Sequence, residues 1–137
     1  MNVKQLMTEE PVTCSPDETL HEAAIKMQQE NIGLCPVIEY DKLVGLVTDR
    51  DITVRAVAKG LDVNEHTIRS IMTTNPIAAS PNMTVEDACQ LMSDHQVRRL
   101  PVLEDGRLVG IISLANLAVD LDEEEMVANT LQHICQP

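Results

Sequence analysis

The sequence predicts an α+β fold made of two copies of one β-α-β-β-α unit, related by a pseudo-twofold axis and packed sheet to sheet. Three observations carry this reading. The chain matches itself at an offset of 65 residues, Val3–Ile52 over Ile68–Leu117, with no gap and 14 identities. Within each copy the apolar pattern changes from a helical period to strand-like runs and back. Neither copy, at about 50–60 residues, buries enough surface to be stable alone.

Each element follows from local chemistry. Pro11-Val12-Thr13-Cys14 and Pro76–Ala79 suit a brief extended strand, and Ser15-Pro16-Asp17 is turn chemistry. Thr19 with Glu22, and Thr84 with Asp87, are capping-box signals that open a helix. Leu20, Ala23, Ala24 and Met27 form its apolar stripe, repeated by Val85, Ala88, Cys89 and Met92. Cys35–Ile38 and Leu100–Leu103 read as strands. Tight turns follow at Tyr40-Asp41 and Asp105-Gly106, and Lys42–Val47 and Arg107–Ile112 return. A last helix is expected over about Asp49–Lys59, closed by Gly60; its counterpart starts near Leu114. The expected organisation is therefore repeat one at 1–60, a linker at 61–67, repeat two at 68–120 and a tail at 121–137. In the tail, Asp122–Glu125 would open a helix whose dipole they complement, with Val127, Leu131 and Ile134 as its apolar stripe.

Composition narrows the function. Twenty-two acidic against ten basic residues give a net charge of −12, which argues against a nucleic-acid partner. No apolar run approaches the roughly 18–20 residues of a membrane span, and Met1–Lys4 lacks a signal-peptide core. Tyr40 is the one aromatic residue, so a bound base would rest on aliphatic side chains. The reading is a reduced, cytoplasmic protein with free thiols. Cys14, Cys35 and Cys89 align with Ala79, Leu100 and Ala24, so they read as small buried hydrophobes. His21 and His95 align with Glu86 and Glu30 and so read as exposed helix positions, and His133-x-Cys135 is too sparse for zinc. No spaced nucleophile and base, phosphate loop or paired acids mark an enzyme.

The junction Gly45-Leu46-Val47-Thr48-Asp49-Arg50-Asp51 carries the candidate chemistry. A buried strand stops at Thr48 and a carboxylate follows three residues later, where a helix begins. The opening turn of a helix has unpaired N–H groups and partial positive charge. Asp51 read alone is a first-turn acid and Thr48 an N-cap; the second copy of the motif, Gly110…Ser113…Asn116, shifts the balance toward a ligand clamp.

The repeated Met-Thr-x-x-Pro (Met7–Pro11, Met72–Pro76), Pro36-Val37 with Pro101-Val102, and Gly-φ-φ-Thr/Ser-x-x-Asp/Asn (φ apolar) together resemble a tandem CBS-domain pair, named after cystathionine β-synthase. The resemblance covers essentially residues 1–120. It implies a non-catalytic regulatory module that binds an adenosine-containing nucleotide, such as AMP or ATP, in a cleft between repeats. Asp51 would take both ribose hydroxyls, since a carboxylate accepts from a diol, and Thr48 would bond ribose or phosphate. Adenine would lie by Val12, Thr13, Pro36, Val37 and Ile38. Ser113 and Asn116 depart from the pattern, which weakens that copy. Arg98 and Arg99, two and three residues before Pro101, would meet the phosphate of the Thr48–Asp51 ligand. No obligatory cofactor and no metal are expected. The implied partners are a second copy, as a homodimer, and a protein in trans. The alternative is a ligand-free dimerisation or interaction scaffold.

Overall fold

The computed structural model describes residues 1–120 and 124–135. The fold is α+β, as expected, with two three-stranded antiparallel sheets. The chain divides into two compact units, one of residues 12–76 and one of residues 1–11 with 77–137. The leading segment of each repeat therefore folds with the body of the other. Among the described residues no helix is long and apolar enough to cross a membrane.

In the 12–76 unit, helix α2 (Leu20–Glu30) opens where Thr19 Oγ1 accepts from the Glu22 N–H at 3.1 Å. It closes on Asn31, whose left-handed φ of 55° lets Ile32 N–H reach the Met27 carbonyl. The reciprocal half of the expected capping box is not made. Thr19 instead forms a bridge with Thr67, and Leu20 N–H donates to the His66 carbonyl. Strands β2 (Leu34–Glu39) and β3 (Lys42–Thr48) make a hairpin through the two-residue turn Tyr40-Asp41, both at positive φ. β4 (Thr73–Thr74) pairs with the far edge of β3. Leu20, Ala23, Met27, Val37, Val47, Ile52 and Ile68 fill the core; each large aliphatic side chain wholly buried is worth about 1.5–3 kcal/mol.

The other unit repeats this plan. It contains helix α1 (Val3–Leu6), β1 (Thr8–Glu9), α4 (Val85–His95), β5 (Arg99–Glu104), β6 (Arg107–Ser113), α5 (Leu114–Asp120) and α6 (Glu124–Ile134). β1 pairs with β6 as β4 pairs with β3. Val3 N–H donates to the Met83 carbonyl where Ile68 N–H donates to that of Glu18, so the two leading segments dock alike.

This docking explains two motifs at once. A Cβ on Gly45 would lie 2.7 Å from the Thr73 carbonyl oxygen and 2.9 Å from Met72 Sδ; one on Gly110 would lie 2.8 Å from the Thr8 oxygen and 2.7 Å from Met7 Sδ. The Met-Thr pair of one repeat and the glycine of the other are thus contact partners.

Several expectations are corrected. The strand expected near Val12–Cys14 is a single bridge, Cys14 to Val37, with Ala79 to Val102 its counterpart. Cys14 N–H donates to Pro36 O and accepts from Ile38 N–H through its own carbonyl. The next donors in either direction would be the nitrogens of Pro36 and Pro16, which carry no hydrogen. Helix α1 was not expected, although the Asn2–Gln5 capping box that opens it is visible in sequence. The helix after β3 is α only over α3 (Asp49–Asp51) and continues as a π-helical segment, Ile52–Val57. Thr53 Oγ1 donates to the Asp49 carbonyl at 3.1 Å, a back-bond that disturbs the α register. Gly60 follows at φ +73° as expected.

Ala24 is exposed, whereas its counterpart Cys89 is buried. The difference is α6, which packs on α4. α6 turns Met126, Val127 and Ile134 inward and buries Thr130, while Leu131 is 41% exposed; Val127 and Ile134 lie on the apolar stripe as expected, and Thr130 takes the place expected of Leu131. Asp122 and Glu123 of the acidic run lie outside the described residues.

Gly45→Ala should lower the unfolding free energy by about 1–3 kcal/mol, because the new methyl meets a backbone oxygen that cannot turn aside. Urea denaturation of the variant beside the wild type reads this directly; an unchanged midpoint would contradict the close approach.

Candidate functional site

The two strand–helix junctions carry the same reciprocal cap with different chemistry left over. In the 12–76 unit, Thr48 Oγ1 accepts from Asp51 N–H at 3.0 Å, and Asp51 Oδ2 accepts from Thr48 N–H at 3.0 Å. The Asp51 side chain is 16% exposed. Its Oδ1 stands 3.7 Å from Arg55 Nε, one helical turn on. A carboxylate has about four acceptor positions, and the cap uses one. Thr48 acts only as acceptor in these bonds, so its hydroxyl proton remains available to a ligand.

The counterpart is closed on itself. Asn116 Oδ1 accepts from both Ser113 N–H, at 3.0 Å, and Ser113 Oγ, at 2.7 Å, while Ser113 Oγ accepts from Asn116 N–H at 3.1 Å. Here the hydroxyl proton is consumed and the amide oxygen is doubly engaged. The inequality expected from Asp51 against Asn116 is therefore reinforced by the hydroxyls.

Arg55 borders this cap and was not among the residues expected from the sequence. Besides facing Asp51, its Nη1 donates to the Ile71 carbonyl at 2.9 Å, tying the clamp to the segment before β4. The i,i+4 spacing to Asp51 was the available signal. Asp49 is exposed; its N–H donates to the Gly33 carbonyl at 3.0 Å, and its carboxylate lies close over Gly33, where a Cβ would meet Oδ2 at 3.1 Å.

The expected adenine contacts fall on one stretch of the same unit. Thr13 and Ile38 are half-buried and Pro36 is buried. Val37 is fully enclosed in the core, so its side chain is not available to a ligand. The Pro36 carbonyl and Ile38 N–H are already bonded to Cys14, and the Thr13 carbonyl accepts from Lys26 Nζ at 2.8 Å. Arg98 and Arg99 belong to the 77–137 unit and are exposed. They border a hollow with Ser113, Leu114, Val127 and Leu131, and the Arg98 carbonyl accepts from Leu114 N–H. His21 and His95 are exposed, as expected, and among the described residues no group of three or more His, Cys, Asp or Glu is placed to hold a metal.

Two unequal polar caps, each at a strand–helix junction of one repeated α+β unit, define a tandem-repeat module. The chain belongs to the CBS-domain family: the family model matches residues 3–57 and 68–123. It is 43% identical over 133 residues, 97% of this chain and 94% of the relative, to the CBS domain-containing protein YhcV of Bacillus subtilis. Its structure is similar to that of Hypoxic Response Protein I, solved with two coordinated zinc ions (TM-score 0.82, 34% identity, 88% of this chain and 99% of that one). It is also similar to the CBS domain pair of protein MJ0100, solved with 5′-methylthioadenosine and S-adenosyl-L-methionine (TM-score 0.77, 31% identity, 87% and 94%).

The caps make a testable stability claim. Thr48→Ala should cost about 1 kcal/mol. Asp51→Asn should cost about 0.5 kcal/mol or less, because Asn116 shows that an amide makes the same cap. Parallel denaturation curves give both values; a larger loss in Asp51→Asn would make the carboxylate itself structural.

Proposed function

We propose that this chain is a non-catalytic regulatory module that binds an adenosine-containing nucleotide, with Thr48 and Asp51 as its ribose clamp. The observation that carries the reading is the half-buried Asp51 carboxylate, with acceptor positions unspent beside an uncommitted Thr48 hydroxyl. The MJ0100 pair, with its adenosyl ligands, supports the ligand class. Asp51 accepts from the ribose diol and Thr48 donates to a ribose or phosphate oxygen. Thr13, Pro36 and Ile38, on the same unit as the clamp, flank the base. Binding then favours one arrangement of the repeats, which a partner or second copy reads.

Isothermal calorimetry with AMP, ATP and S-adenosylmethionine tests this. Asp51→Asn should weaken the bound nucleotide at least about tenfold, since each hydrogen bond to a charged group is worth roughly 1.5–3 kcal/mol. Its fold stays intact by the argument above. Equal affinity would remove Asp51 from the site.

A second reading, a ligand-free dimerisation scaffold, is favoured by the self-satisfied Ser113–Asn116 clamp and by Val54 and Val57, which are 50% and 60% exposed on the π-helical segment. Both readings include a homodimer. Val54→Lys with Val57→Lys should shift the mass in solution, by light scattering, from dimer to monomer. A thermal-shift screen separates the readings, because a ligand at 100 times its Kd adds about 2.7 kcal/mol and a scaffold gains nothing.

A further inference from the structure

Four places in the 12–76 unit differ together from their counterparts. Cys14, Glu18, Lys26 and Cys35 stand where the second repeat has Ala79, Met83, Leu91 and Leu100. One repeat lines this corner with apolar side chains alone; the other puts two thiols, an ammonium and a carboxylate there.

The four side chains are brought together by the backbone. The Cys14–Val37 bridge sets Cys14 beside β2, with its N–H on the Pro36 carbonyl at 2.9 Å, next to Cys35. The two cysteines belong to one buried cluster, 3% and 0% exposed as residues, and each thiol shifts the titration of the other. Lys26 Nζ donates to the Thr13 carbonyl at 2.8 Å and to Glu18 Oε1 at 3.2 Å, one residue from Cys14. The Cys35 thiol is held below its ordinary pKa, chiefly by the Cys14 thiol donating to it and also by Lys26, against its burial. Cys14 is pushed up as the donor of that bond and by burial. Two small hydrophobes would need neither the lysine nor its carboxylate.

We propose that Cys14 and Cys35 are a redox-active dithiol that closes reversibly to an intramolecular disulfide under a peroxide-class oxidant, with the Lys26 ammonium as the adjacent cation. The Cys35 thiolate attacks one oxygen of hydrogen peroxide. The O–O bond breaks, Cys35 becomes a sulfenic acid, and the other oxygen leaves as water with the proton lost by Cys35. The Cys14 sulfur then attacks the Cys35 sulfur, the S–O bond breaks, and the hydroxide leaves as a second water with the Cys14 proton. Both sulfurs are oxidised and both peroxide oxygens reduced. Access comes from the bridge itself. Two backbone hydrogen bonds hold Cys14 on β2, and Pro16 and Pro36 forbid more, so peroxide reaches the pair when this short bridge parts. The inference does not depend on the nucleotide reading.

The test uses the full chain carrying Cys135→Ser, which removes the exposed thiol. Hydrogen peroxide, iodoacetamide alkylation and peptide mass spectrometry should yield a Cys14–Cys35 crosslinked peptide, lost again on treatment with dithiothreitol. Lys26→Leu, the residue of the second repeat, should slow closure several-fold. Cys14→Ala, which Ala79 shows the fold accepts, should stop Cys35 at the sulfenic acid, trapped by dimedone. Peroxide treatment that leaves both thiols reduced until the protein unfolds, or that carries them to sulfinic acid without a crosslink, overturns the proposal. An unchanged closure rate in Lys26→Leu overturns the role of the ammonium.

Discussion

The reciprocal cap between Thr48 and Asp51 is the interaction on which the site depends. It starts a helix on the residue after a buried strand ends, and so fixes where a hydroxyl and a carboxylate stand. Capping and ligand binding are compatible here because they use different valences. The backbone N–H groups take one lone pair from each side chain, and the hydroxyl proton and remaining carboxylate positions are left over. In the Ser113–Asn116 copy the same cap is made, but the side chains also bond each other. One local structure thus yields an open clamp in one repeat and a closed one in the other.

The compact units do not follow the sequence repeats. Met72 and Thr73 press on Gly45, and Met7 and Thr8 on Gly110, so each repeat completes the sheet of the other. A methionine and a glycine that recur at the same offset in sequence are in contact only crosswise. This ties the folding of the two repeats together: neither body has its third strand without the opposite leading segment.

Much of this was legible in the residues. The 65-residue offset exposed the repeat, Asp105-Gly106 the hairpin, and Thr48 with Asp51 the junction. Other features rest on what pattern alone does not carry. The exchange of leading segments is a long-range pairing, invisible to local periodicity. The π-helical segment has the same apolar spacing as an α-helix over one turn. Cys89 was read from its alignment with Ala24, yet its burial comes from α6, which has no counterpart in the first repeat. The single-residue bridge at Cys14 was readable in principle, since Pro16 and Pro36 are the two nitrogens that would have extended it. Arg55 lies outside the repeated motif, since its counterpart at the same offset is Asp120, yet its i,i+4 spacing places it by Asp51.

The claim at the centre of this account is that the open clamp holds a ribose diol. The most direct measurement compares AMP with 2′,3′-dideoxy-AMP by calorimetry on the wild-type chain, since only the diol differs. The account predicts that the dideoxy nucleotide binds at least about tenfold more weakly, the loss of two hydrogen bonds to a carboxylate. Equal affinity for the two nucleotides would contradict it.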